Sequence, residues 1–166
     1  MTQTFRRVVT GNNAAGKSYL LSDIDIAEAE LGNFNFWRTS PGGGPDLTAP
    51  VPFFPPPDES IFRIFRLPPA DPEMTVAQLS AIAEGFFAGV GSPDAKVDTS
   101  RHPLMHTTPT TDYIVLLSGE VSLLLDEGEP VPLKPFDAVV QRGTNHTWVV
   151  TGEEPAVLMA VMLGTK

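Results

Sequence analysis

The chain has 166 residues, 42% of them apolar, with 11 basic and 20 acidic side chains and a formal charge of −9. That length suits one domain with a real core, and the acidic balance disfavours nucleic acid and anionic membrane surfaces as partners. Cysteine is absent, which removes disulfides, thiolate metal sites and cysteine nucleophiles together.

The N-terminal Met1–Arg7 is not followed by an apolar stretch of signal-peptide length. No run reaches the roughly 18 apolar residues of a membrane-spanning helix. A cytoplasmic protein is therefore expected.

Residues 5–10 and 18–22 are β-prone pieces around a Gly/Asn-rich stretch that reads as a loop or hairpin turn. That stretch, Gly11 to Ser18, also spells the P-loop pattern letter for letter. The pattern holds phosphate only when a buried strand enters it and a helix leaves it. Here the entry is Arg6-Arg7-Val8-Val9-Thr10, short and half charged, and the alternating strand–helix order of a nucleotide domain does not follow. No nucleotide cofactor is expected.

Phe34–Arg38 is an aromatic strand candidate, with Phe34 and Trp37 expected in the core or at a dimer contact. Pro41 to Pro57 carries too many prolines and glycines for a regular element and reads as an extended arm or loop. Ser60–Arg66 reads as a strand. Residues 72–90 read as the one strong helix, capped by Asp71 with Pro72 in its first turn and ended by Gly89 and Gly91. Its apolar face, Leu79, Ile82, Ala83, Phe86, Phe87 and Val90, suggests packing on the outside of a sheet.

From residue 112 the rhythm changes. Tyr113–Ser118, Val121–Leu125, Val131–Lys134, Ala138–Arg142, His146–Thr151 and Ala156–Leu163 are strand candidates separated by turn residues. Short strands at regular spacing predict an antiparallel sandwich or barrel. Side chains two apart on a strand share a face. An inward Asp112 therefore implies inward Ile114 and Leu116, and an inward His146 implies inward Trp148 and Val150. Apolar walls with few directed polar groups are the make-up of a small-molecule pocket.

The polar residues among these strands are spaced distinctively: His106, Thr108, Asp112 and Gly119, then Gln141, Gly143 and His146. This resembles the two-part signature of the cupin superfamily, the RmlC-like barrels: H-x-H, three or four residues, E, six residues, G, and later P-x-G-x-x-H. His106 and His146 match outright. The second histidine falls on Thr108, the glutamate on Asp112 and the proline on Gln141, and the glycine expected before Asp137 is Phe136. The resemblance covers roughly residues 60–166.

The resemblance implies an all-β cupin-type jelly-roll barrel with one preceding helix and an N-terminal extended arm. It implies one domain, with 1–59 as N-terminal strands and arm and 60–166 as barrel. It carries over His106, Asp112 and His146 as ligands for a divalent metal (iron, manganese, nickel or zinc). Asp112 and His106 are the candidate catalytic groups, and Thr108, Gln141, Trp148, Ile114 and Leu116 the candidate ligand contacts. A homodimer sharing strands from its arms is expected. Two functions stay open: a metal-dependent enzyme on a small organic molecule, of the oxygenase, decarboxylase, isomerase or lyase kind, and a non-catalytic small-ligand barrel without metal. The residues name no substrate.

Overall fold

The computed structural model describes residues 3–41 and 51–165, and among these residues the fold has ten strands and one α-helix. In chain order they are β1 (Thr4–Asn12), β2 (Ser18–Ala27), β3 (Asn33–Thr39), β4 (Ser60–Leu67), α1 (Val76–Gly89), β5 (Thr110–Ser118), β6 (Val121–Leu125), β7 (Val131–Leu133), β8 (Ala138–Gln141), β9 (His146–Val150) and β10 (Ala156–Gly164). A five-stranded sheet runs β3-β4-β10-β5-β8, a three-stranded sheet runs β7-β6-β9, and β1 pairs with β2 alone. Every pairing is antiparallel. The architecture is the expected all-β jelly roll with one α-helix among the described residues, but that helix does not precede the barrel: it falls between β4 and β5, both strands of the larger sheet. Among the described residues, no helix is long and apolar enough to cross a membrane.

Two-residue periodicity produces the core. Ile61 from β4, Ile114 and Leu116 from β5, and Leu158, Ala160 and Met162 from β10 project from the inner face of the larger sheet. They meet Val121 and Val150 of the smaller one. Full burial of each aliphatic side chain contributes about 1.5–3 kcal/mol. The outer face of the larger sheet has its own aromatic cluster, Phe34, Phe36 and Ile64, covered by Phe5 and Ile26 of the β1–β2 hairpin. Phe5 meets Phe34 edge-on at 4.7 Å between ring centroids. Phe34 is thus a core residue, while Trp37 is half-buried.

The P-loop letters form the turn of this hairpin. Strand β2, not a helix, follows Ser18. The Asn13 side chain accepts hydrogen bonds from the N–H groups of Ala15 and Lys17 (2.9 and 3.0 Å). Amides that would face a phosphate are already engaged.

Helix α1 starts later than its sequence suggests. Asp71 does not cap it; its carboxylate instead accepts the Glu73 N–H in a local turn. Thr75 is the cap, in a reciprocal box with Gln78, and the helix ends at Gly89. Thr75 and Gln78 together satisfy two terminal groups that Asp71, four residues upstream, would leave open. The helix packs against the proline-rich strap and His106. Its buried Phe87 reaches Phe53 and His106, at 6.0 and 5.3 Å between ring centroids. Within the proline-rich arm, residues 42–50 lie outside the described residues, and 51–57 run without helix or strand. Pro55 is fully buried in this strap.

Candidate functional site

Strand β5 alternates as its sequence implies, with Thr110, Asp112, Ile114 and Leu116 buried and Tyr113 exposed. Asp112 therefore faces inward, between Met162 of β10 and Gln141 of β8 in register. On β9, His146 and Val150 are buried and Trp148 packs against the core. His106 and His146 are joined by an isolated antiparallel bridge. The His106 N–H donates to the His146 carbonyl (2.9 Å) and the His146 N–H to the His106 carbonyl (3.0 Å). Their rings sit 4.5 Å apart, centroid to centroid.

Each imidazole is fixed by a second bond. Nδ1 of His106 lies 2.9 Å from the Leu104 carbonyl, and Nδ1 of His146 lies 3.0 Å from the Thr144 carbonyl. A carbonyl can only accept, so each Nδ1 carries the proton and each Nε2 keeps a free lone pair. Burial lowers the pKa of His106. Burial, then the neighbouring His106, pushes His146 down to about 3. Both rings are neutral at pH 7. Gly143 makes the turn before His146 possible: its φ is +63°, and a Cβ there would meet the Thr108 carbonyl at 3.0 Å.

Asp112 is only 4% exposed, and its Oδ1 is buried with no hydrogen-bond partner. Burial raises its carboxyl to about 6, against the opposing influence of the Thr110 hydroxyl and the Arg63 charge. The folded state therefore binds a proton more readily than the unfolded chain. Stability from this group is fully present below pH 3.8 and is lost as pH rises through about 6. Asp112→Asn is expected to gain roughly 3 kcal/mol on the wild type between pH 4 and pH 7, at about 1.4 kcal/mol per unit. Urea denaturation across that range checks it. A constant difference between the two proteins would refute the assignment.

The other expected contacts fall into two groups. Thr108 and Thr110 share a buried hydroxyl–hydroxyl bond of 2.7 Å, and Gln141 donates to the Thr144 carbonyl at 2.9 Å and to the Thr144 hydroxyl. Gln141 thus ties down the turn that presents His146. Ile114, Leu116 and Trp148 form apolar wall, with Leu116 wholly buried in the core. Trp148 stands edge-on to His146 at 5.8 Å.

The metal-ligand set is not gathered as the motif implies. Among the described residues, no three His, Cys, Asp or Glu side chains converge closely enough to hold a metal ion. The two histidines come together; Asp112, one methylene shorter than glutamate and carried on the opposite sheet, does not join them. The donor set therefore does not fit a three-ligand centre. His102 stays in its loop, where its Nδ1 accepts the Leu104 N–H at 3.2 Å.

Phe136 replaces a motif glycine at a price in backbone strain. Its φ is +75°, the left-handed region that side chains disfavour, and its ring is 80% exposed.

Four residues near the site carry no motif signal: Phe53, Phe86, Phe87 and Arg63. Phe53 and Phe87 cover the His106 ring, and Phe86 packs on both. Arg63 is 5% exposed and donates to the carbonyls of Phe53 (3.1 Å) and Pro52 (2.8 Å). Strand alternation could have found Arg63, since it shares a face with Ile61 and Phe65 of β4. Nothing local could have placed the three phenylalanines over His106.

Comparison with known proteins places this geometry in context. Residues 95–162 match the family model described as "Cupin domain". The chain is 43% identical over 77 residues to "Phomopsin biosynthesis cluster protein D" of Diaporthe leptostromiformis, covering 45% of this chain and 41% of that protein. It is 40% identical over 84 residues to a "Cupin-domain-containing oxidoreductase" of Neurospora crassa, covering 49% of this chain and 37% of that protein. It thus spans less than half the length of these curated relatives. Among solved structures, a cupin 2 conserved barrel domain protein from Salinispora arenicola aligns with a TM-score of 0.38 at 16% identity, over 69% of this chain and 70% of that one.

Proposed function

This chain belongs to the cupin superfamily, and from that premise we propose that it acts on a small organic molecule at the histidine-bearing end of its barrel by moving a proton. One observation carries the reading: two adjacent neutral imidazoles with their Nε2 lone pairs left free, and, on the inner face of the other sheet, a buried carboxyl with an unpartnered oxygen. His106 Nε2 is the proton acceptor. Asp112, with its carboxyl near 6, can give or take a proton at neutral pH. Ile114 and Trp148 supply apolar contact, and the Phe53–Phe87 pair keeps water from His106. The relatives' names, one for a biosynthesis cluster and one for an oxidoreductase, support a role in small-molecule metabolism.

A second reading rests on the same Nε2 atoms. Iron, manganese, nickel or zinc on His106 and His146 would supply Lewis-acid or oxygen-activating chemistry. Elemental analysis of tag-free protein, after reconstitution with each metal, separates the two. Proton transfer without metal expects well under one equivalent in wild type, His106→Ala and His146→Ala alike. About one equivalent in wild type, lost in both variants, would replace it with the metal reading.

Self-association belongs to the same proposal. The β1–β2 hairpin leaves Val8, Leu20, Leu21 and Ile24 about half exposed, as a dimer contact would. Sedimentation of a monomer at high concentration would refute it.

A further inference from the structure

A buried polar pair lies on the inner face of the larger sheet, and the proton-transfer chemistry above does not use one of its members. Arg63 lies on β4 with the inward Ile61 and Phe65. In register it stands opposite Ala160 of β10, which stands opposite Ile114 of β5. Asp112 lies one inward position along β5 from Ile114. The small Ala160 side chain between the two strands leaves room for the guanidinium to extend toward the carboxylate. Each charge is felt by the other.

Neither charge is fully satisfied. Two guanidinium nitrogens of Arg63 are used on the strap carbonyls, while its Nε–H is buried without an acceptor. Oδ1 of Asp112 is buried without a donor. Buried polar atoms without partners are rare and costly. Two of them, one donor and one acceptor, on one inner sheet face match a group that brings an acceptor and a donor on neighbouring atoms.

We propose that Arg63 and Asp112 form the polar anchor of the ligand site, taking a neutral carboxamide-like or hydroxy-carbonyl end of a small apolar molecule in preference to a carboxylate. The inference rests on the small-molecule reading above and adds the ligand's chemical class. The carbonyl oxygen accepts from Arg63 Nε–H, and the N–H or O–H donates to Asp112 Oδ1. The Arg63 charge is already offset by Asp112, so a ligand carboxylate would meet a like charge at the carboxylate it must approach. The hydrocarbon part would lie toward Ile114 and Trp148. Because Arg63 also holds the carbonyls of Pro52 and Phe53, the anchor and the aromatic cover over His106 share one side chain.

Three six- or seven-carbon probes of similar shape test this at pH 8, where Asp112 is ionised: hexanamide, hexanoate and heptan-2-one. Trp148 and the imidazole NMR signals report entry into the barrel. In the wild type, hexanamide is expected to bind about tenfold more tightly than either of the others. Asp112→Asn removes the carboxylate while keeping its shape, so hexanoate should become the tightest of the three. Arg63→Met should weaken hexanamide and hexanoate to the level of the ketone, and the Asp112→Asn comparison stands whether or not that variant folds. Equal binding of all three, or a wild-type preference for hexanoate, overturns the anchor and leaves the barrel reading intact. No perturbation by any probe overturns the barrel reading and the anchor with it.

Discussion

Between pH 6.5 and pH 3 the wild-type protein is expected to lose on the order of 5 kcal/mol relative to His146→Phe, at about 1.4 kcal/mol per unit of pKa shift. His146 is lowered from 6.5 to about 3 because burial, and then His106, disfavour its charged form. The unfolded chain binds a proton that the folded state refuses. The stability tied to the neutral ring is fully present above 6.5 and is lost as pH falls toward 3. His106, lowered by the same burial, adds a loss in the same direction. Asp112 opposes both between about 6 and 3.8, so the wild-type profile should be shallow there and steepest below it. Phenylalanine keeps a ring in the site and removes the titration. Urea denaturation at pH 7, 5.5, 4 and 3 reads the difference. Parallel profiles for the two proteins would show that His146 titrates like a solvated histidine.

Gly164→Ala is expected to destabilise the fold by about 3 kcal/mol, the upper end of what overpacking usually costs. Gly164 closes β10, and its N–H donates to the Glu59 carbonyl at 2.9 Å. A Cβ there would collide with the Pro56 carbonyl oxygen, and would lie 2.6 Å from its carbon and 2.9 Å from the Pro55 oxygen. All three are backbone atoms, so no side chain can rotate away. The strap of residues 51–57 would have to move, and with it Phe53, which rests 5.7 Å from the His106 ring. The variant should therefore combine a lower unfolding midpoint with a shifted His106 imidazole resonance. A midpoint within about 0.5 kcal/mol of wild type, the range of ordinary surface changes, would show that the strap is not seated against Gly164.

Much of the barrel is legible along the chain. The strands from Thr110 onward agree with their apolar runs to within a few residues at the ends, because alternation every second residue follows from strand geometry alone. The same alternation turns Asp112 and His146 inward and Tyr113 outward. The Gly/Asn hairpin is equally local, since Asn13 and Gly16 form its turn through bonds spanning four residues or fewer. The helix was legible as a helix but not in its start, because Asp71 and Thr75 both offer capping chemistry and only Thr75 has Gln78 three residues on.

The sequence by itself determined where the strands of the barrel half fall along the chain, the inward faces of Asp112 and His146, and the two histidines as a pair, all through short-range periodicity and motif spacing. Only the tertiary structure decided that Asp112 stands apart from those histidines, that α1 and the strap lay Phe87 and Phe53 on His106, and that Arg63 shares an inner face with Asp112. These depend on which strands become neighbours and on how close two segments distant in sequence can pack, as at Ala160 and Gly164. Such distances are set by the sum of long-range contacts, and no local pattern encodes them.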